Sequence, residues 1–268
     1  MDPRILDTIE SITKDLSVDE IEAVVRRLEE RIGIGSGESS NRGSGEVGVP
    51  KLVNDSFPGP VTIFDVGANK GQYLTLLLDE LGHRPDVTIH CFEPSATTYS
   101  VLLETAQGHP SVIANNFALG AKSGEATLFM NVPGSGLASL TARRLEHFGI
   151  DHSLFSETVI IRTIDDYCAE HGISEIHLLK IDVEGHELDV LKGAQRMLAE
   201  KRTHLIQFEF GGCNIDTRTY FQDYYYLFQE KGYDLYRLLP EGTLHRIGAY
   251  REEFEKFRTA NYLAARSE

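Results

Sequence analysis

From Val61 onward the apolar positions fall into alternating strand-length and helix-length groups. Val61–Val66 is almost continuously apolar, as expected of a strand buried on both faces. Gln72–Leu81 is a leucine-rich helix, and Val87–Phe92, Ala96–Ala106 and Ser111–Asn116 repeat strand, helix and strand. A βαβαβ order of this kind predicts a parallel sheet with covered faces and right-handed crossovers. The rhythm breaks where Ala126–Asn131 and Glu157–Arg162 form extra strands around a glycine- and serine-rich loop, VPGSGLASL. It resumes with helix Ile164–His171, strand Ile176–Ile181, helix Glu187–Glu200 and strand His204–Phe210. Helix Tyr220–Lys231, strand Tyr233–Leu238 and a last strand over Asn261–Ala265 complete the pattern. The predicted fold over residues 51–268 is α/β, a doubly wound, mostly parallel sheet with an inserted β-hairpin as a lid.

The first 32 residues follow a different pattern, two short amphipathic helices. Ile5, Leu6, Ile9 and Ile12 recur at helical spacing, and Ser17 with Glu20 three residues later has the form of a capping box. Ile21, Val24, Val25, Leu28 and Ile32 make an apolar stripe on the second helix. Two helices cannot bury such stripes by themselves, so they are expected to serve docking or self-association. Residues 33–50 are expected to be a flexible linker, since positions 33–48 carry six glycines and four serines.

Composition narrows the function. Hydrophobic content of 41% and charged content of 25% fit a globular chain. No apolar run is long enough to span a bilayer, and MDPRILDTIE lacks the basic start and apolar block of a secretory signal. The three cysteines, Cys91, Cys168 and Cys213, have no metal-type spacing and are expected to be reduced thiols of a cytoplasmic protein. A net charge of −15 repels a phosphate backbone, so nucleic acid is not an expected partner.

Candidate chemistry gathers at strand ends, where open α/β sheets bind ligands. FDVGANKGQY closes the first strand with Asp65, and Gly67 and Gly71 permit a tight turn. The loop lacks the third glycine of a dinucleotide fingerprint, which argues against a nicotinamide-dependent oxidoreductase. HCFEP puts Glu93 at the tip of the second strand, where an acid can accept both ribose hydroxyl protons. ANNFALG adds Asn116 and Ala118 after the third, and an Asn there can bond an adenine edge or its own turn. LLKIDVEGHE crowds Lys180, Asp182, Glu184, His186 and Glu187 at the end of a later strand. Charges at the end of a buried parallel strand need a partner or a ligand.

FDVGANKGQY, FEP, NNFALG, RTIDDYCAEHG and LLKIDVEGHE, in this order, resemble the FkbM-type S-adenosylmethionine-dependent methyltransferases over about Val61 to Arg266. The resemblance implies a Rossmann-like sheet of the class I methyltransferase type and S-adenosyl-L-methionine as cofactor. It also implies cofactor residues: Asp65, Gly67, Asn69 and Gly71 for the methionine part, Glu93 for the ribose, Asn116 and Ala118 for the adenine side. Ala68, Tyr73 and Pro94 fall in the same motifs. O-methylation of a hydroxyl on a sugar or natural-product intermediate is the activity it favours. N-methylation, or a binding module without catalysis, are the alternatives. Methyl transfer to an alcohol needs a base within reach, and Asp182, His186 and Glu209 of IQFEF are the candidates, with Lys180 and Glu184 beside them. No metal is expected, because no H-x-x-H or paired-cysteine spacing occurs. Gly134, Gly136 and Ser139 belong to the expected lid, with Ser139 able to reach substrate, and Tyr220 and Tyr224–Tyr226 are expected mainly as core and surface tyrosines.

Overall fold

The structure is a computed structural model that describes residues 2–35 and 43–267. Helices α1 (Pro3–Thr13) and α2 (Val18–Arg31) are followed by α3 (Gly48–Ser56), which the sequence did not announce. Strand β1 (Val61–Val66), helix α4 (Gln72–Leu81), β2 (Val87–Phe92), α5 (Ala96–Ala106) and β3 (Val112–Asn115) follow as expected. Next come β4 (Ala118–Leu119), β5 (Gly124–Met130), β6 (Phe155–Arg162), α6 (Ile164–His171) and β7 (Ile176–Ile181). The rest is α7 (Glu187–Lys192), α8 (Gln195–Ala199), β8 (Thr203–Phe210), α9 (Cys213–Thr217), α10 (Phe221–Lys231), β9 (Tyr233–Leu238), β10 (Leu244–Ile247) and β11 (Ala260–Arg266).

The main sheet runs in the order β10-β9-β11-β8-β7-β1-β2-β3. The pairs from β8 to β3 are parallel, and β11 enters antiparallel between β8 and β9. The order reverses between β1 and β7, the switch point where a crevice opens at the carboxyl ends. Side chains of β1 alternate as a strand requires. Phe64 and Val66 join the core under α6, α7, α8 and α10, and Val61 and Ile63 the core under α3, α4 and α5. The inserted element is a separate three-stranded sheet, β4-β6-β5, rather than a bare hairpin. No described helix is long and apolar enough to cross a membrane.

Two expectations change. The predicted helix Glu187–Glu200 is two helices, because the chain passes the end of β4 at Gly193, where a Cβ would lie 2.1 Å from the Gly120 carbonyl oxygen. The described ends of residues 33–50 are packed rather than loose; residues 36–42 lie outside the described chain. Ile34 is buried in the core, and the Gly35 N–H donates to the Thr259 carbonyl at 2.7 Å. A Cβ on Gly45 would lie 2.3 Å from the Leu239 carbonyl oxygen, and one on Gly48 2.4 Å from that of Gly242. These glycines permit close approach of backbones, a use of glycine that composition cannot separate from flexibility.

His90, inside β2, packs against Phe64 and Tyr167, and its Nδ1 lies 2.8 Å from the Tyr167 hydroxyl. Burial, with His171 adding to it, lowers its pKa from 6.5 to about 4. The unfolded chain therefore binds a proton below pH 6.5 that the native chain refuses until about pH 4. Stability is expected to fall across that window by roughly 3 kcal/mol, and His90→Phe should flatten the loss. Urea unfolding midpoints at a series of pH values measure it, and equal slopes for both proteins would refute the assignment.

Candidate functional site

The turn after β1 holds three residues in the left-handed region, Gly67 (φ 79°), Asn69 (φ 49°) and Gly71 (φ 89°). Only glycine fits at position 67, where a Cβ would sit 1.8 Å from the Asp182 carbonyl oxygen. Backbone bonds stitch this turn to both neighbours. The Gly67 and Ala68 N–H groups donate to the Phe92 carbonyl at 3.0 Å, and the Asp182 N–H donates to the Val66 carbonyl at 3.0 Å. The ends of β1, β2 and β7 are thus held together, and a cavity of about 210 Å³ opens over them.

Glu93 forms one wall. Its Oε2 accepts the Asn69 N–H at 3.0 Å and its Oε1 the Ser95 N–H at 2.9 Å, which fixes the carboxylate and leaves each oxygen acceptor capacity. Burial raises its pKa to about 7, against the lowering effect of those two amides. The side-chain Oδ1 of Asn69, beside it, is buried without a partner.

The crowded LLKIDVEGHE segment resolves into separate roles. Lys180 is buried, with Nζ 3.5 Å from Asp65 Oδ1, 3.4 Å from Asp182 Oδ2, and 5.3 Å from the centre of the Tyr73 ring. Burial alone would strip its proton, but the charges of Asp182, Asp65 and Glu46 outweigh that and raise its pKa. Glu184 stands in the left-handed region (φ 55°) and pairs with Arg143, itself 3.7 Å from Asp216. Glu187 is fully buried and accepts the Val183 and Gly185 N–H groups at 3.1 and 3.0 Å, so it builds the turn. His186 uses both ring nitrogens, Nε2 with Thr141 Oγ1 at 3.0 Å and Nδ1 with Asp189 Oδ2 at 3.1 Å. Asp182 is left. Its side chain is 38% exposed and Lys180 is its partner, so it faces the cavity with lone pairs to spare.

Of the expected site residues, Gly67, Ala68, Asn69, Tyr73, Glu93, Pro94, Ala118, Lys180, Asp182, Glu184 and His186 line this cavity. Asp65, Gly71, Asn116 and Glu209 do not. Asp65 has no exposed surface and lies beneath the floor as the counter-ion of Lys180. Gly71 starts α4, and a Cβ there would meet Thr105 at 2.8 Å. The Asn116 amide donates to the Glu93 and Pro94 carbonyls at 2.9 and 3.0 Å and so holds the turn. Glu209 lies opposite Asn261 in the β8–β11 pair, and the lining instead includes a residue the sequence reading missed, Glu46. The Glu46 carboxylate lines the cavity, accepting from Gln207 Nε2 of β8 at 2.9 Å and from Ser44 Oγ at 2.8 Å. Gln207 in turn accepts from the Tyr73 hydroxyl at 2.7 Å. Nothing local in GSGEVG marks that glutamate.

The lid segment also lines the cavity through Ser135, Gly136, Ala138, Ser139 and Leu140. Ser139 is fastened rather than free: its Oγ donates to the Glu184 carbonyl at 2.8 Å, and its backbone pairs with Phe129. Tyr224 is a core residue stacked on Phe208, and Tyr220, Tyr225 and Tyr226 lie outside the cavity lining.

Glu175, His177 and His204 cluster at the opposite ends of β7 and β8, close enough to hold an ion. The two imidazoles stack in parallel, 5.1 Å apart and 4° between planes, and His177 Nδ1 accepts the Thr62 N–H at 3.0 Å. Ring lone pairs lie in the ring plane, so parallel rings do not aim them at one ion.

Residues 65–235 match the family described as the methyltransferase FkbM domain. This chain belongs to that family. Among curated relatives of the FkbM-type domain, the 31-O-demethyl-FK506 methyltransferase FkbM of Streptomyces tacrolimicus is 34% identical over 164 residues, 52% of this chain and 60% of that protein. The hexuronic acid methyltransferase AglP of Haloferax volcanii is 26% identical over 170 residues, 62% of this chain and 64% of that protein. The 2-O-methyltransferase NoeI of Sinorhizobium fredii is 27% identical over 161 residues, 54% of this chain and 61% of that protein. The match therefore spans 60–64% of the length of these relatives. Glu46 and the two amino-terminal helices lie outside the residues that match the FkbM-type domain.

Proposed function

We propose that the protein transfers a methyl group from S-adenosyl-L-methionine to a hydroxyl of a sugar or natural-product intermediate. One observation carries the reading: the cavity at the switch point is lined by four carboxylates, Glu46, Glu93, Asp182 and Glu184, against one lysine. Carboxyl oxygens gathered in one cavity suit a sulfonium, Asp182 foremost because burial raises the pKa of Glu46, Glu93 and Glu184, and the relatives named for O-methylation and for a sugar acid support an oxygen acceptor.

The residues present fit such a cofactor. Glu93 offers fixed acceptors to a pair of ribose hydroxyls, and the partnerless Asn69 Oδ1 offers one more. The bound cofactor would supply an electrophilic methyl, which leaves the protein to position and desolvate. Asp182 takes the proton of the attacking hydroxyl, because His186 and Glu184 are already engaged by Thr141, Asp189 and Arg143. Lys180 holds Asp182 in place, and the lid residues exclude water. The buried free thiols support a reducing compartment such as the cytoplasm.

Calorimetry with S-adenosylhomocysteine tests this. Binding is expected at pH 8 and should weaken as pH falls through about 7, where Glu93 takes up a proton and loses acceptor capacity. One linked proton sets the limit at about tenfold per pH unit. Absence of heat at pH 8, or equal heat with NAD, would sink the reading.

A further inference from the structure

The amino-terminal helices are well built yet bury nothing. Asp2 caps α1, and Ser17 and Glu20 form a full capping box on α2. On α2 the apolar positions Val18, Ile21, Val25, Leu28 and Ile32 follow a three-four-three-four spacing, the seam of a coiled coil. Their exposures run from 37% for Ile21 to 72% for Val18. Ile5, Ile9 and Ile12 continue such a stripe on α1, at 52%, 47% and 67%.

The helices are not on a free tether. Glu29, near the end of α2, pairs with Lys256 and with Arg258, and Ile34 enters the core directly after it. The body therefore presents the seam in a fixed direction instead of covering it.

Charge on α2 is divided along its length. Asp19, Glu20 and Glu22 fill the first half; the second holds Arg26, Arg27 and Arg31 together with Glu30 and with Glu29, whose carboxylate is turned to Lys256 and Arg258 of the body. Side by side in parallel, two copies would set like charge against like. Antiparallel, each acidic half meets a half whose net charge is positive. The seam is also nearly symmetric about Val25, so a two-fold axis there sets Val18 against Ile32 and brings Ile21 within one residue of facing Leu28. A closed isologous contact needs this self-complementarity.

From these features we infer that α2 packs antiparallel on α2 of a second copy of this chain, with the two α1 helices completing a four-helix bundle. Fourteen residues of α2 span about 21 Å, two heptads, too short to associate without α1. The contact places two catalytic domains on one bundle and leaves each site intact. It does not rest on the methyl-transfer reading.

The full chain at tens of micromolar is expected to give twice its 29.9 kDa mass by light scattering. Ile21→Asp with Leu28→Asp should return the monomer mass while the unfolding midpoint of the body stays put. Cysteine substitution fixes the direction, because the native thiols are all buried. Val25→Cys should cross-link between copies on mild oxidation, and Val18→Cys should not. A monomer at that concentration, a dimer indifferent to the paired aspartates, or efficient cross-linking through Val18→Cys would each overturn the proposal. A monomer whose helices protect from exchange only with another protein present would reassign the seam to that protein.

Discussion

Replacing Lys180 by methionine is expected to cost roughly 3–5 kcal/mol of folding stability, the range found when one partner of a buried ion pair is removed. Asp65 has no exposed surface, and Lys180 is the cation within reach of its carboxylate. Without that ammonium, Asp65 must stay charged in an apolar setting or take up a proton. Burial already pushes the Asp65 pKa above its ordinary value, with Lys180 holding it back. A carboxyl whose native pKa exceeds its unfolded one stabilises the fold below the unfolded pKa and loses that contribution as pH rises. The deficit of the Lys180→Met protein should therefore shrink on acidification and grow toward neutral pH. Pairing the change with Asp65→Leu should restore much of the stability, since a buried pair is often replaceable by apolar groups of similar size. Denaturant unfolding of the two variants decides it. A single variant as stable as the parent would mean that the buried Asp65 carboxylate does not depend on Lys180.

Asp182→Asn is expected to lower turnover by about 10²–10⁴-fold, the usual contribution of a positioned base. The substitution keeps the shape and the backbone bond to Val66, so binding of S-adenosylhomocysteine should stay nearly unchanged. The distinction matters because Asp182 lines the same cavity as Glu93 and also pairs with Lys180. A loss of cofactor affinity equal to the loss of rate would move Asp182 from the acceptor to the cofactor. Normal turnover would remove it from the chemistry. His186→Gln is the comparison: with both ring nitrogens already bonded, it is expected to cost far less.

Much of the site was legible in the motifs because strand-end residues are placed by the strand itself. Once Val61–Val66, Val87–Phe92 and Ile176–Ile181 are parallel neighbours, Gly67, Glu93 and Asp182 share one crevice. What the motifs could not separate is lining from support. Asp65 and Lys180 are register partners on the adjacent strands β1 and β7, yet one lies beneath the floor and the other on it, a matter of depth that period-two alternation does not encode. Asn116 and Glu187 look like ligands by type, and both turn out to satisfy backbone groups. Glu187 stands in the first turn of α7, yet its partners are the N–H groups of the turn before that helix.

The order of apolar and polar positions alone determined the alternating elements, the parallel core of the sheet, the capped amino-terminal helices and the strand ends that carry chemistry. These follow from local periodicity and from the short reach of a turn. Tertiary structure alone decided the antiparallel entry of β11, the break at Gly193 and the arrival of Glu46 in the cavity. Each of these depends on two stretches of chain far apart in sequence coming within contact distance. Glu46 and Gln207 are separated by 161 positions, and no pattern in either segment carries the position of the other.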